Sequence, residues 1–169
     1  MGIRYYAYAF DHELSDQARE NPRSLVSSDP LADAWGLVPH ATISHATFEQ
    51  TVPERDMLYL DKAWRELQIL TGPRELCGTA RPAFAMFAGE VRMHDLMWEP
   101  WVRPLFPADL PEIERDLADL VRDEAERIPE ASETVDARGE TFVMHFLRRA
   151  HEFVAGLVAD GRGMVYMIG

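Results

Sequence analysis

A histidine, two carboxylates and two tryptophans stand close together in the middle of the chain. His94, Asp95 and Glu99 lie within six residues of one another, with Trp98 between them and Trp101 just beyond. A histidine beside carboxylates in a partly buried cleft can act as a general acid or base. The structural alternative is that the tryptophans cover an edge of the core and hydrogen bonds satisfy His94. We favour that structural alternative.

The segment from Tyr59 to Gly72 is the one around which we expect the rest of the chain to be organised. Asp61 is a good N-cap for a helix over 62–71, because a carboxylate accepts a hydrogen bond from a free amide of the first turn. Lys62, the only lysine of the chain, then stands at the first helical position, where the helix dipole disfavours a cation. The pair could orient an anionic ligand. We favour the alternative, in which Asp61 only caps the helix and Lys62 pairs with a carboxylate from elsewhere.

The other residues that bind metals or attack substrates lack the spacing such sites need. His40 and His45 lie in an expected loop and match no metal-ligand motif. Cys77 is the single cysteine, which excludes an intramolecular disulfide and a cysteine-rich zinc site. The sequence holds no GxSxG, Walker or GxGxxG motif. We therefore expect neither a metal nor a cofactor.

The charge balance bounds the class of partner. Acidic residues number 29 against 17 basic ones, which gives a formal net charge of −12. A general affinity for nucleic acid or anionic lipid is therefore not expected, whereas a basic partner is permitted and solubility alone is the simpler explanation. No stretch approaches the roughly 20 apolar residues of a membrane span, and the start of the chain lacks the apolar run of a signal peptide. We expect a cytoplasmic protein.

Hydrophobic patterning predicts an α+β fold. The expectation is a single domain over 1–169, with a small, mainly antiparallel sheet that contains the N- and C-terminal strands and packs against three to four helices. The helix over 62–71 is expected to be a packing centre with Trp64 buried, and Trp35 is expected to fill a gap in the core. The predicted strands are 3–10, a hairpin with arms at 82–87 and 90–94, 101–106 with Pro104 confining it to an edge, and 164–168. The predicted helices are a short one before Asn21, then 62–71, 109–128 and 140–159. The core face of the last helix is expected to consist of Phe142, Val143, Phe146, Ala150, Phe153, Val154 and Leu157.

The predicted helix over 109–128 has one apolar and one acidic face. Its acidic face includes Glu112, Asp116, Asp119 and Asp123, which we expect to project a negative field into solvent. Such a field speeds encounter with a positively charged surface but contributes little to the fold.

The motif Leu-Tyr-Leu-Asp-Lys-Ala-Trp over 58–64, followed by Leu67, Leu70, Thr71 and Gly72, resembles the signature helix of the YfbM-like family of small bacterial proteins. The first strand, the long penultimate helix and the short C-terminal strand are similar as well. The sequence departs from the family at 98–101, which reads Trp-Glu-Pro-Trp. The family's function is unknown, so the resemblance implies an α+β fold and a bacterial cytoplasmic origin and transfers no chemistry.

Two functional hypotheses follow. The first is a non-catalytic binding or protein-interaction domain. One subtype of it is an immunity-like protein that binds and blocks a basic effector. Lys62, Trp98 and Trp101 are the candidate contact residues. The second is a small enzyme with a cleft around Asp61, His94 and Glu99. Convergence of those three side chains in one pocket would favour the enzyme, and an exposed acidic or apolar face would favour the binding domain.

Overall fold

The computed structural model describes residues 2–38, 43–73, 78–95, 97–126 and 141–169. His40 and Cys77 lie outside the described residues, and so does the predicted end of the acidic helix near 128.

A four-stranded antiparallel sheet forms the centre of the described chain. Its strands are β1 (Tyr5–Phe10), β2 (Met57–Asp61), β5 (Trp101–Leu105) and β6 (Gly163–Ile168), in the order β2-β1-β6-β5. The sheet contains the N- and C-terminal strands, as predicted, and they are its two inner strands; every residue of β6 is buried. Pro104 lies in the edge strand β5, where a residue without an N–H group is tolerated. Two further strands, β3 (Arg92–His94) and β4 (Met97–Glu99), form a separate antiparallel ribbon.

Helices cover both faces of the sheet. Alternate residues of β1 separate the two layers: Tyr5 and Ala7 belong to one apolar cluster, and Tyr6 and Tyr8 belong to the other. The described residues contain six α-helices, more than the three to four expected. They are α1 (Ser15–Glu20), α2 (Pro30–Trp35), α3 (Trp64–Thr71), α4 (Phe84–Phe87), α5 (Leu110–Glu126) and α6 (Phe142–Asp160). The first cluster takes in residues of α3 to α6, and the second takes in residues of α1 and α2.

The α3 helix is a packing centre, as predicted, but it begins differently. Trp64 is only 6% exposed, and Leu67 is fully buried beside it. The helix starts at Trp64, its N-cap position is Ala63, and no side chain caps it. Asp61 is therefore not the N-cap: it ends β2 with a positive φ of 48°.

Lys62 does not make the predicted ion pair with any carboxylate in the described ranges. Because α3 starts two residues later than expected, Lys62 precedes the helix and does not occupy its first position, which was the reason for expecting a partner. Its side chain instead runs beside Gly2, where an added Cβ would lie 2.9 Å from the Lys62 Cε.

The first arm of the predicted hairpin is wrong. Residues 84–87 form the short helix α4, because the backbone N–H of Ala83 donates to the Asp116 carboxylate (2.9 Å) and fixes a helical start after Pro82. A short apolar run is ambiguous between strand and helix, and here a contact from α5 decides. The second arm does form a strand, β3, but it pairs with β4 across a turn at Asp95, whose φ is 48°.

The long helix α6 is bounded by two local features. The Thr141 side chain accepts a hydrogen bond from the Met144 N–H (3.2 Å), and Gly161 ends the helix with a left-handed φ of 65°. Its buried face was only partly predicted. Met144 and Leu147 are buried, whereas Phe142 is 53% exposed and packs edge-on against Phe146.

Candidate functional site

The predicted catalytic residues do not meet in one cleft. Asp61 and Trp101 occupy the same cross-strand row of the sheet, with Tyr5 and Ile168 between them. Three interstrand spacings of about 4.8 Å separate their backbones by roughly 14 Å. Asp61 therefore lies at one edge of the sheet, and the segment that carries Glu99 and Trp101 lies at the other.

His94 and Glu99 are brought together, but on an exposed surface. The His94 Nε2 is 3.4 Å from a Glu99 carboxylate oxygen across the β3–β4 ribbon, and both side chains are 67% exposed. The partly buried setting expected for an acid–base pair is therefore not present at this position. On the same ribbon Trp98 lies opposite Met93, and both side chains are exposed.

Trp101 has a packing role. Its indole ring lies against Gly89, where an added Cβ would come within 2.5 Å of the ring and where φ is 155°. Only glycine fits at that position. The surface cavity beside Trp101, about 510 Å³, is bordered by both Glu99 and Arg92.

A second cavity lies at the opposite edge of the sheet and combines aromatic rings with charged groups. We call it the β2 crevice: the space of about 670 Å³ between the loop at 48–54, strand β2 and helix α6. Its aromatic residues are Trp35, Phe48, Tyr59 and Phe146, and its charged residues are Glu49, Glu54, Asp61 and Arg149. Three carboxylates and one cation thus surround a largely aromatic interior.

A closed set of contacts fixes the inner wall of the crevice. The Trp35 Nε1 donates to the Tyr59 hydroxyl (3.1 Å), which donates to the Asp61 Oδ1 (3.0 Å). The Arg4 Nε lies 3.0 Å from the same oxygen, and the Arg4 guanidinium stands 4.9 Å from the centre of the Trp35 ring. The N–H of Arg4 is not aligned with that oxygen, so this contact is an ion pair and not a hydrogen bond.

Asp61 keeps one carboxylate oxygen available. Both of its contacts use Oδ1, and Oδ2 accepts no hydrogen bond from any described residue. The side chain is 35% exposed and borders the crevice. An oriented carboxylate with a spare acceptor atom suits a cationic or hydrogen-bond-donating ligand.

The phenol of Tyr59 is held in its neutral form. Burial raises the pKa of Tyr59 first, and the negative charge of Asp61 raises it further. Tyr59 therefore stays protonated at physiological pH and donates a hydrogen bond to Asp61.

Two of the three non-glycine residues with positive φ in the described ranges border this crevice. Phe48 has a φ of 58° and Asp61 a φ of 48°, and the third is the turn residue Asp95. The Phe48 N–H donates to the Trp35 carbonyl (3.0 Å), which holds the strained loop against α2. Such strain is uncommon for a large side chain and is concentrated at functional sites.

The crevice continues along α6 past a salt bridge. Arg149 and Glu54 are 3.4 Å apart, and beyond them lies a smaller cavity of about 230 Å³ that extends to Glu152 and Gly156. No atom lies within 4 Å of a Cβ added at Gly156, so this end of the wall is open.

Sequence reasoning identified Asp61 but missed most of its neighbours. Trp35 and Phe146 were assigned to the core, and each does pack against an apolar cluster, but each also lines the crevice. Phe48 carried a recognisable signal, because a lone large aromatic residue stands among polar loop residues. Arg4 and Arg149 carried none, since their positions depend on contacts across the fold.

Several functional classes find no support in the described residues. No group of three or more histidine, cysteine, aspartate or glutamate residues is arranged there to hold a metal ion. None of the helices in the described part of the chain has both the length and the apolar character that crossing a membrane requires. No protein-family model, no curated protein and no solved structure matches this chain.

Proposed function

We propose that this protein is a non-catalytic binding domain that holds a basic segment of a partner protein in the β2 crevice. The observation that carries the proposal is the free Oδ2 of Asp61 inside an aromatic-walled crevice with an excess of carboxylates. A guanidinium or ammonium group gains from both features, because carboxylates accept charge-assisted hydrogen bonds and aromatic faces attract cations.

The electrostatics of the crevice favour a cation over an anion. Glu49, Glu54 and Asp61 line it, and Arg149 is paired with Glu54 while Arg4 is paired with Asp61, which leaves one carboxylate in excess. The whole chain carries −12, so the long-range field also attracts a positively charged partner.

The acidic helix α5 is a weaker candidate surface than its composition predicts. The Asp116 carboxylate is turned inward, where it pairs with the Arg81 guanidinium (2.7 Å) and accepts the Ala83 N–H. Arg122 lies beside both Asp119 and Asp123. Several of the helix's negative charges are thus compensated within the chain.

The lining of the crevice supports binding without catalysis. The described residues that line it include no histidine, cysteine, serine or lysine. The Tyr59 hydroxyl already donates to Asp61, so it is not free to transfer a proton to a substrate. A histidine base or an activated serine or cysteine nucleophile would have to come from elsewhere.

The wider setting belongs to the same proposal. We propose a bacterial cytoplasmic protein related to the YfbM-like family, with an immunity-like role towards a basic effector as its most specific form and no role in nucleic-acid binding. Lys62 and Trp98 stay predicted contact residues for a partner. Neither lines the crevice, so this prediction is independent of it.

Capture on paired columns tests this function. Immobilised wild-type protein and the Asp61→Asn variant are exposed to a lysate of the source cells, and retained proteins are purified and titrated against both. Asparagine tolerates the positive φ at position 61 and preserves the bond from Tyr59, and a thermal melt verifies that the variant is folded. We expect a basic protein that binds the variant at least about tenfold more weakly, and more weakly still as salt rises.

The matched control is Glu112→Gln, which removes one exposed negative charge from α5 outside the crevice. It is expected to leave the affinity within about twofold. A partner that binds wild type and Asp61→Asn equally, or one that loses affinity only with Glu112→Gln, would place the binding surface elsewhere and overturn the proposal.

A further inference from the structure

The outer edge of β2 is only partly closed. The Ala9 N–H donates to the Asp56 carbonyl (2.9 Å), and Ala7 is opposite Leu58 in the register. Hydrogen bonds alternate in an antiparallel ladder, so the main-chain groups of Met57 and Tyr59 point away from β1. These groups form the outer edge of the sheet.

The loop before β2 closes the Met57 half of this edge. The Met57 N–H donates to the Pro53 carbonyl (3.0 Å), and the Met57 carbonyl accepts from the Gln50 Nε2 (3.0 Å). None of these loop contacts reaches the main chain of Tyr59, and Tyr59 borders the β2 crevice. One N–H and one C=O are thus directed into the crevice beside the free oxygen of Asp61.

We propose that the occupant of the crevice is an extended segment that adds to the sheet beside β2, with an arginine opposite Tyr59. This inference rests on the proposed function and specifies the conformation and the residue that the crevice selects. In antiparallel pairing a single residue exchanges two hydrogen bonds with its opposite residue, and Tyr59 presents both groups that such a pair needs.

The geometry of a cross-strand pair explains the choice of arginine. The side chain of a residue paired with Tyr59 lies on the same face as the Tyr59 ring. On that face stand the Trp35 ring and the Asp61 carboxylate. A planar guanidinium matches a carboxylate and stacks on an aromatic ring better than an ammonium group does. Arg4 already makes this combination of contacts with Trp35 and Asp61 within the chain.

The wall of the groove is long enough for a short extended segment, whose main chain pairs with β2 only at Tyr59 because the loop closes the Met57 half of the edge. The wall that α6 provides runs from Phe146 to Gly156 and includes Arg149 and Glu152. Ten residues of helix at 1.5 Å each span about 15 Å. An extended segment of about five residues covers that distance.

The test uses the peptide acetyl-Thr-Val-Arg-Val-Thr-amide and two N-methylated forms of it. Methylation of the main-chain nitrogen of the arginine removes the N–H that would donate to the Tyr59 carbonyl. Methylation of the main-chain nitrogen of the following valine removes an N–H that points away from β2. We expect the arginine-methylated peptide to bind at least about tenfold more weakly than the parent, and the valine-methylated control to bind within about threefold of it.

Hydrogen exchange followed by NMR provides the second readout. At saturating parent peptide the Tyr59 amide should exchange at least about tenfold more slowly, because it becomes hydrogen-bonded. The Leu58 amide, which already faces β1, should be unaffected. These two amides are adjacent in sequence and differ only in the direction they face.

Two results overturn the inference and leave the proposed function in place. In one, the peptide binds more weakly to Asp61→Asn, but the exchange rate of the Tyr59 amide does not change on binding and the arginine-methylated peptide binds as tightly as the parent. That result means contact through side chains alone. The other is no binding of any peptide while the captured protein still requires Asp61. Loss of the Asp61 requirement in the capture experiment is the separate result that removes the proposed function itself.

Discussion

Phe48 exposes 67% of its side chain and holds a left-handed backbone with φ of 58°. Neither property helps the chain to fold, because an exposed aromatic ring gains little burial and a positive φ is unfavourable for a residue with a Cβ. Among the described residues, the Phe48 ring packs against the Trp35 ring, at 5.4 Å between centroids. We attribute this cost to binding, since the ring projects at the mouth of the β2 crevice.

Replacing Phe48 with glycine separates folding from binding. Glycine relieves a strain of about 1 kcal/mol, which offsets the lost ring contact. We expect urea unfolding to show a stability within about 1 kcal/mol of wild type, and the captured partner to bind at least about fivefold more weakly.

The control for this variant is Ile69→Ala, which removes an exposed apolar side chain on α3 that does not border the crevice. It should leave the affinity unchanged. A Phe48→Gly variant with wild-type affinity would mean that the exposed ring does not touch the partner.

Asp61 shows where residue-level prediction stops. A carboxylate just before a helical pattern is an ordinary N-cap, and the sequence offers no local reason to doubt it. Its actual position is decided by Arg4 and Tyr59, which reach it across the sheet. Side chains that hold a site together through long-range contacts leave no pattern that a single sequence reveals.

At the scale of elements, the sheet carries all five tyrosines of the chain. They are Tyr5, Tyr6 and Tyr8 in β1, Tyr59 in β2 and Tyr166 in β6. Burial is the first cause that raises the pKa of each, to about 12 for Tyr6. Tyr8 is raised further by its hydrogen bond to the Asp33 carboxylate (2.8 Å).

These shifts predict alkaline unfolding of the sheet. The unfolded chain loses its tyrosine protons near pH 10, whereas the folded chain retains them, so the free energy of unfolding falls as pH rises above about 10. We expect the near-ultraviolet absorbance of phenolate to rise in one steep step that coincides with loss of tertiary structure. The same titration in denaturant serves as the control and should be broad and centred near pH 10. Gradual titration of several tyrosines near pH 10 in the folded protein would contradict this prediction, because it would show that their hydroxyl groups are accessible to solvent.

Elements with strong patterns were predicted well, and short ones were not. Hydrophobic periodicity, together with proline and glycine at the ends of elements, predicted the terminal strands, the edge strand β5 and the long helices. The α4 segment did not, because four apolar residues carry no period and Asp116 of α5 fixes their conformation. The face of α6 was predicted in large part: Phe146 packs against the core as expected, but it also lines the crevice.

At the scale of the whole molecule, net charge does not indicate where a partner binds. The acidic composition suggested α5 as the docking face, yet Asp116 is half-buried against Arg81 and the exposed carboxylates around Arg122 are partly neutralised. The β2 crevice has fewer carboxylates, but they are combined with aromatic rings and an open strand edge. Specific binding needs that combination, whereas a diffuse field mainly speeds encounter.

Hydrogen exchange of the captured complex, read by mass spectrometry, tests the central claim most directly. If the β2 crevice holds the partner, protection on binding should appear in segments 47–61 and 146–156. Segment 110–126 of α5 should exchange as it does in the free protein. Protection confined to 110–126, or to the β3–β4 ribbon at 92–99, with no change at 47–61, would contradict the account.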